Sequence, residues 1–538
     1  MKNKMYKPFS LAALTLVLSS SFLAGCSKEA ATTDVANANS QQVLNFAWNT
    51  DIGDLNPHLY APSQWFAQAM VYESLVNYGD GGKIEPSLAE TWDVAPDGKS
   101  YTFHLRKGVK FSDGSDFNAG IVKKNIDAVL ANSKKHDWLE LINEIKTTEV
   151  VDDLTFKLTL KNAYYPVLQE LALVRPLRFL GEAGFQDDGT TATGIKKPIG
   201  TGPWVLSDYK KDDYAVFTRN ENYWGPKPKL EQVKVKIIPD AQSRVLAFEN
   251  KEVDLLFGNG QITLDSFKQL KDDGSFNTAS SEPLATRVLA INSNNGPTKE
   301  LKVRQALEHA LDKQSLVDNV FYGTAQKADT LFSPNFPYSN LNLKPYDFSL
   351  DQSKQLLEEA GWKQAAGQQF REKDGKVLEL DLGFDSGEVV QKAIAEYAQG
   401  QFGKLGIKLN LVGEEYQTHV KRQMDGKFNL IFSETWGAPY DPHTVVGSMR
   451  EPSHADYQAQ AGLSMKPDLD KKITQVLIST DEKARQDLYR DILTTLHEQA
   501  VYLPISYITN VAVAQKNVTG VGFMPTQYEI PFNKMEIK

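Results

Sequence analysis

Residues 433–443 read Ser433-Glu434-Thr435-Trp436-Gly437-Ala438-Pro439-Tyr440-Asp441-Pro442-His443, placing two large rings, two carboxylates and an imidazole in one short stretch. Such side chains can stack on a flat ligand, accept a proton or hold a metal. Two acidic arrangements, Glu414-Glu415 and Glu434 with Asp441, have the composition of a hydrolase pair, which needs two carboxyl groups in different protonation roles. Acidic neighbours in loops are common, however, and no HExxH, GxSxG or P-loop accompanies them. The eight histidines form no cluster with metal-ligand spacing: His443 and His454 share a region but are too far apart to sit as a pair on one helix face. Cys26 is the single cysteine, which excludes a disulfide framework and a thiolate metal cluster.

The elements that must position these residues follow from periodicity. Leu378, Leu380 and Leu382 alternate with acids as a strand, 388–405 reads as a helix closed by Gly406, and Ile407, Leu409 and Leu411 make the next strand, together a βαβ unit. A helix over 416–424 then leads through Asp425-Gly426 into a buried strand at 428–432. The aromatic segment leaves the carboxyl end of that strand, where open α/β sheets collect ligands. The amino-terminal part repeats this logic, with a strand at Val43 to Trp48, a loop over 51–62 carrying Asn56, His58 and Tyr60, and an amphipathic helix over 63–75. Two such halves facing each other make a cleft. Further strands are expected around Tyr101, Phe103 and Leu105 and over 154–160. One helix is expected over 300–320, ended by Gly323, and another after the possible capping box of Ser349 and Gln352, stopped by Gly361.

Ahead of this body, Lys2, Lys4 and Lys7 precede an apolar run over 9–23, too short to span a bilayer and ending in Leu23-Ala24-Gly25-Cys26. It reads as an export signal over 1–25 whose cysteine would be acylated. Residues 26–42 are small, polar and without apolar periodicity, which suits a flexible tether. Loss of the signal removes three lysines and no acid, moving the formal net charge from −9 to −12. An acidic chain argues against nucleic acid and against broad electrostatic membrane binding. No second apolar stretch is long enough for a transmembrane helix.

Several longer strings resemble the peptide/nickel family of solute-binding proteins: Pro198-Ile199-Gly200-Thr201-Gly202-Pro203-Trp204, Asn222-Tyr223-Trp224-Gly225, Val303-Arg304-Gln305-Ala306-Leu307 and Leu503-Pro504-Ile505-Ser506-Tyr507. The nickel-binding members are approached by Leu55-Asn56-Pro57-His58-Leu59-Tyr60, His136-Asp137-Trp138-Leu139-Glu140-Leu141 and Pro452-Ser453-His454-Ala455-Asp456, together with 436–443. The resemblance spans essentially the whole mature chain. It implies an α/β, two-lobed periplasmic-binding-protein fold of class II, cluster C type, with an extra subdomain inserted in lobe one. The implied bounds are 43–283 for lobe I, with the insert at about 86–199, 284–507 for lobe II, and 508–538 returning to lobe I.

The same resemblance implies a monomeric receptor that is not an enzyme and has no catalytic cofactor. Its ligand would be nickel(II) wrapped in a small organic chelator such as histidine, passed to the permease and ATPase subunits of an ABC importer. His454 matches the histidine that completes the metal's coordination, Arg175 the guanidinium that captures chelator carboxylates, and Tyr60, Trp138, Trp436 and Tyr440 the aromatic walls. Trp65 lines the same cleft. Cys26 matches the lipidated cysteine that holds the exported protein to the membrane on the periplasmic side. Ala61, Trp65, Lys135 and Tyr528 depart from the nickel-binding members, which carry a hydroxyl, a methionine, an arginine and a threonine there. A larger Trp65 narrows the cleft, and the lost arginine weakens bidentate capture of a second carboxylate. Two other readings stand beside this one: a peptide receptor holding extended chains through backbone hydrogen bonds, and an exported hydrolase using the acidic pairs above.

Overall fold

The computed structural model describes residues 42–60 and 63–538, so the expectations for the export segment, Cys26, the tether and Ala61 lie outside the described residues. Two large sheets organise the chain. The first has seven strands in the order Asn277–Ser280, Val511–Ala514, Leu255–Phe257, Val43–Trp48, Gln232–Ile237, Tyr214–Arg219 and Trp204–Lys210. Val43–Trp48 sits at its centre, parallel to both neighbours, with Leu44 and Phe46 fully buried. The second has six strands, Gln326–Lys327, Tyr502–Ile508, Ala285–Ile291, Leu430–Glu434, Glu379–Asp385 and Lys408–Glu414. A separate four-stranded antiparallel sheet, Ala89–Val94, Ser100–Leu105, Thr155–Leu160 and Ile145–Asp152, packs against the helix Ala119–Ala131.

Between the two large sheets the chain passes twice, once after Ser280 and once after Ile508. The two passages run side by side: Ser281 N donates to Asn510 O at 2.9 Å, Asn510 N to Ser281 Oγ at 2.9 Å, and Leu284 N to Ile508 O at 2.8 Å. A pair of bonded connecting segments between two lobes is a natural hinge, because few dihedrals separate the rigid sheets.

The βαβ unit forms as its alternation predicts. Glu379–Asp385 and Lys408–Glu414 are parallel, with Leu380 opposite Leu409 and Leu382 opposite Leu411, and Val389–Gly403 covers them. Leu430–Glu434 adds in parallel to the first of these strands, starting two residues later than its apolar run suggests.

Two helices differ from expectation. The stretch 300–320 is not one helix but two, Leu301–Ala310 and Lys313–Asn319. Leu311 is buried with extended backbone, and Asp312 accepts from Ser315 N at 3.0 Å, capping a new start. The first helix covers only Trp65–Val71, and Tyr72 is extended. Gly200 and Gly202 crowd its end: Gly202 N donates to Val71 O at 2.9 Å, and a Cβ on either glycine would collide with that backbone.

Candidate functional site

The seven expected cleft residues converge from five separate segments. After Val43–Trp48 the chain turns through a ladder of side-chain bonds, with Gly53 N donating to Asp51 Oδ1 (2.8 Å), Asn56 N to Asp54 Oδ1 (3.1 Å) and His58 N to Asn56 Oδ1 (3.0 Å). His58 is a strut: its ring bonds Thr191 Oγ1 at 2.8 Å and Asn125 Oδ1 at 3.0 Å, and burial lowers its pKa to about 4. The loop so fixed presents Tyr60. Its ring centroid lies 5.1 Å from that of Trp138 and 5.4 Å from that of His136.

Arg175 stands on these rings. Its guanidinium carbon is 4.3 Å from the Trp65 ring centroid and 5.0 Å from that of Tyr60, and Nη1 donates to Ser63 O at 3.1 Å. The residue is 7% exposed, yet no carboxylate among the described residues pairs with it, and Nε has no partner. Burial lowers its pKa to about 10, so it stays cationic at neutral pH. Arg178 is arranged quite differently, bonding Glu529 at 2.6 Å along with Tyr72 O and Leu173 O. Glu529 in turn fixes the segment carrying Tyr528, whose ring centroid is 3.7 Å from that of Trp65.

The opposing wall comes from the segment after Leu430–Glu434. Gly437 takes φ +76° there, and Asp441 Oδ1 accepts from Trp436 N at 3.1 Å. The Trp436 ring is 6.3 Å from Trp138, 6.0 Å from Tyr440 and 5.3 Å from His454; Tyr440 is 6.1 Å from Trp138. His454 is half-buried just ahead of the helix Ala455–Gln460, with Nδ1 2.8 Å from Ser453 Oγ. Burial raises the Asp441 carboxyl to about 7 and leaves Oδ2 unpartnered.

His443 does not join this cluster. It is fully buried, bonded to Tyr489 OH at 2.8 Å and packed against Tyr165 and Tyr338, and burial lowers its pKa to about 3. Three of the four carboxylates in the acidic pairs of the hydrolase reading are engaged by the protein, and Asp441 alone keeps a buried unpartnered oxygen. Glu414 accepts two bonds from Arg422 at 2.7 and 2.6 Å, Glu415 caps the helix Tyr416–Asp425, and Glu434 pairs with Arg287 at 3.1 Å. Lys135 reaches Ala192 O at 3.5 Å instead of an aromatic wall.

His136 is the residue that sequence reasoning passed over as a candidate. It is completely buried behind Tyr60, neither ring nitrogen has a partner, and burial lowers its pKa to about 4. Its only signal was its place two residues before Trp138. Among the described residues no three His, Cys, Asp or Glu side chains group so as to hold a metal ion. The cluster can thus supply one buried cation, aromatic faces and one imidazole at the edge. That set suits a compact, partly anionic ligand better than a bare ion.

Two α/β sheets joined by paired crossing segments, with ligand-type side chains meeting between them, define a two-lobed extracellular binding protein. The model of the bacterial extracellular solute-binding proteins, family 5 (middle), matches residues 83–457, and the chain belongs to that family. It is 48% identical over 503 residues to the nickel-binding periplasmic protein of Escherichia coli K12, covering 93% of this chain and 96% of that one. The crystal structure of NikA from Brucella suis in complex with Fe(III)-EDTA superposes with a TM-score of 0.90 at 52% identity, covering 92% of this chain and 100% of that one. The dipeptide-binding protein of E. coli K12 is 26% identical over 490 residues, with 86% and 89% covered. No helix among the described residues is long and apolar enough to cross a membrane.

Proposed function

We propose that this chain is the extracytoplasmic substrate-binding subunit of an ABC importer and that it captures nickel(II) as a complex with a small organic chelator such as histidine. The observation that carries this reading is Arg175, a buried guanidinium stacked between Trp65 and Tyr60 with no carboxylate among the described residues to neutralise it. A buried cation in that state is poised for an anionic ligand group. The likeness to the nickel-binding protein of E. coli and to the Brucella structure supports a metal chelate as that ligand.

In this mechanism the chelate enters between open lobes, a carboxylate lands on Arg175, and Trp138, Trp436 and Tyr440 cover its flat faces. Closure about the paired segments at 281–284 and 508–510 brings His454 to the metal, and the closed form is presented to the permease and its ATPase. Binding and release change no covalent bond, so no catalytic role is assigned to any residue. The lobe division that goes with this is 43–283 with an insert at about 86–199, then 284–507, then 508–538. The chain is exported as a monomer and held to the membrane through an acylated Cys26. Mass spectrometry of the mature amino terminus tests the anchor, since an unmodified cysteine would sink it.

Calorimetric titration of the metal-free chain with nickel alone, nickel plus histidine, and a mixed peptide pool tests the ligand. Tight binding only of the nickel complex, weakened at least tenfold by Arg175→Ala and by His454→Ala, is the expected outcome, at about 1.4 kcal/mol per factor of ten. Binding of peptides without any response to nickel would leave the fold and overturn the chelate.

A further inference from the structure

Trp138 and His454 belong to opposite walls of the site, and one ion pair joins the segments that carry them. Glu140 lies two residues after Trp138, at the start of the helix Glu140–Glu144. Arg450 lies four residues before His454, just past the helix His443–Ser448. Arg450 Nη2 donates to both carboxylate oxygens of Glu140, at 3.0 and 3.3 Å. The rest of the guanidinium is tied to its own lobe: Nε donates to Gly447 O at 3.2 Å and Nη1 to Thr474 Oγ1 at 3.1 Å. Both partners are part-buried, so solvent screens the pair less than it would on an open surface.

A second thread runs along the same seam. Glu170, buried beneath the helix Glu140–Glu144, accepts from Leu141 N at 3.0 Å and from Thr444 Oγ1 at 3.4 Å, so it too touches both sides.

We propose that the Glu140–Arg450 pair is the latch that holds the lobes closed over the ligand and sets the position of the His454 segment. The geometry leaves that segment few other restraints. Between Arg450 and Ala455 the residues Glu451, Pro452 and Ser453 are exposed, and among the described residues the only side-chain bond in the stretch is the local one between Ser453 and His454, whose ring also rests against Trp436. Arg450 on one side and the buried Ala455 on the other bracket the segment that carries the histidine, and Glu140 fixes Arg450 only when the lobes are together. Because the pair forms at closure, it should act on escape of the ligand more than on its entry. The inference rests on the reading of His454 as a ligand to chelated nickel.

Stopped-flow tryptophan fluorescence with nickel plus histidine, alongside small-angle scattering of the ligand-free chain, tests it. Glu140→Gln and Arg450→Gln should each speed dissociation about tenfold with association within about twofold, and the exchange Glu140→Arg with Arg450→Glu should recover most of the loss. Glu414→Gln, which breaks an ion pair inside one lobe, should leave dissociation unchanged. Dissociation rates equal to the parent's in both single variants would overturn the latch. If the parent itself binds no nickel complex, the chelate reading fails and the scattering curves decide the latch: a larger radius in both single variants supports it, and an unchanged radius overturns it.

Discussion

At Arg175 the geometry asks for a guanidinium and not merely a positive charge. The planar group lies against Trp65 and Tyr60 while Nη1 is spent on Ser63 O, and Nε is left without a partner among the described residues. A lysine could reach the same place, but it lacks the flat face and the fork. Arg175→Lys is therefore expected to lower affinity for nickel–histidine by about 1.5–3 kcal/mol, the range for a lost charge-assisted bond, while leaving the thermal midpoint nearly unchanged. Calorimetry and a melting curve on the same sample check this; a fall in affinity matched by a fall in stability would mean that Arg175 holds the fold instead. Trp65 has a related task. It shields one face of the guanidinium and is itself backed by Tyr528, so the two departures from the family pattern form one contact and not two independent changes.

Among the elements, the turn over 434–441 is the one on which the second wall depends. Gly437 has φ +76°, and a Cβ there would meet Leu284 O at 2.5 Å, in the passage between the lobes. Gly437→Ala should cost at least 1–2 kcal/mol from backbone strain alone, with the collision adding to it. Denaturant unfolding measures that cost, and an unchanged midpoint would contradict the geometry. The placement of this turn was legible in the sequence, because the apolar run after Asp425-Gly426 located the strand and the strand's carboxyl end located the loop. What could not be read was which histidine after it stays available. His443 and His454 look alike in sequence, and the difference comes from Tyr165, Tyr338 and Tyr489, distant residues that enclose the first. The environment of Arg175 was hidden for the same reason: Ser63 and Trp65 precede it by more than a hundred residues, and only the folded lobe brings them together. The break at Leu311 was missed because its apolar side chain continues the helical stripe while Asp312 supplies a competing cap.

For the molecule as a whole, the buried ionisable groups set a pH response of definite sign. Burial raises the carboxyls of Glu73 to about 7, Glu170 to about 8, Glu308 to about 7 and Asp441 to about 7. Carboxyls in an unfolded chain titrate near 4, so between about pH 4 and 8 the folded chain holds more protons. Their contribution to stability is complete below the unfolded value and is lost as pH rises through the folded ones. The imidazoles act in the opposite sense, since burial lowers His58 to about 4, His136 to about 4 and His443 to about 3. Their effect is confined to the interval below about 6.5, where an unfolded histidine takes up a proton that the folded one refuses. Above that pH the imidazoles are neutral in both states and the carboxyls act alone. The thermal midpoint is therefore expected to fall on the order of a few degrees between pH 6.5 and 8.5, and Glu170→Gln should flatten that limb. Scanning calorimetry at constant ionic strength reads it directly. A midpoint that holds steady or rises over the same interval would mean that these carboxyls are already ionised in the folded chain at neutral pH, with Glu170 carrying its charge into the seam between the lobes.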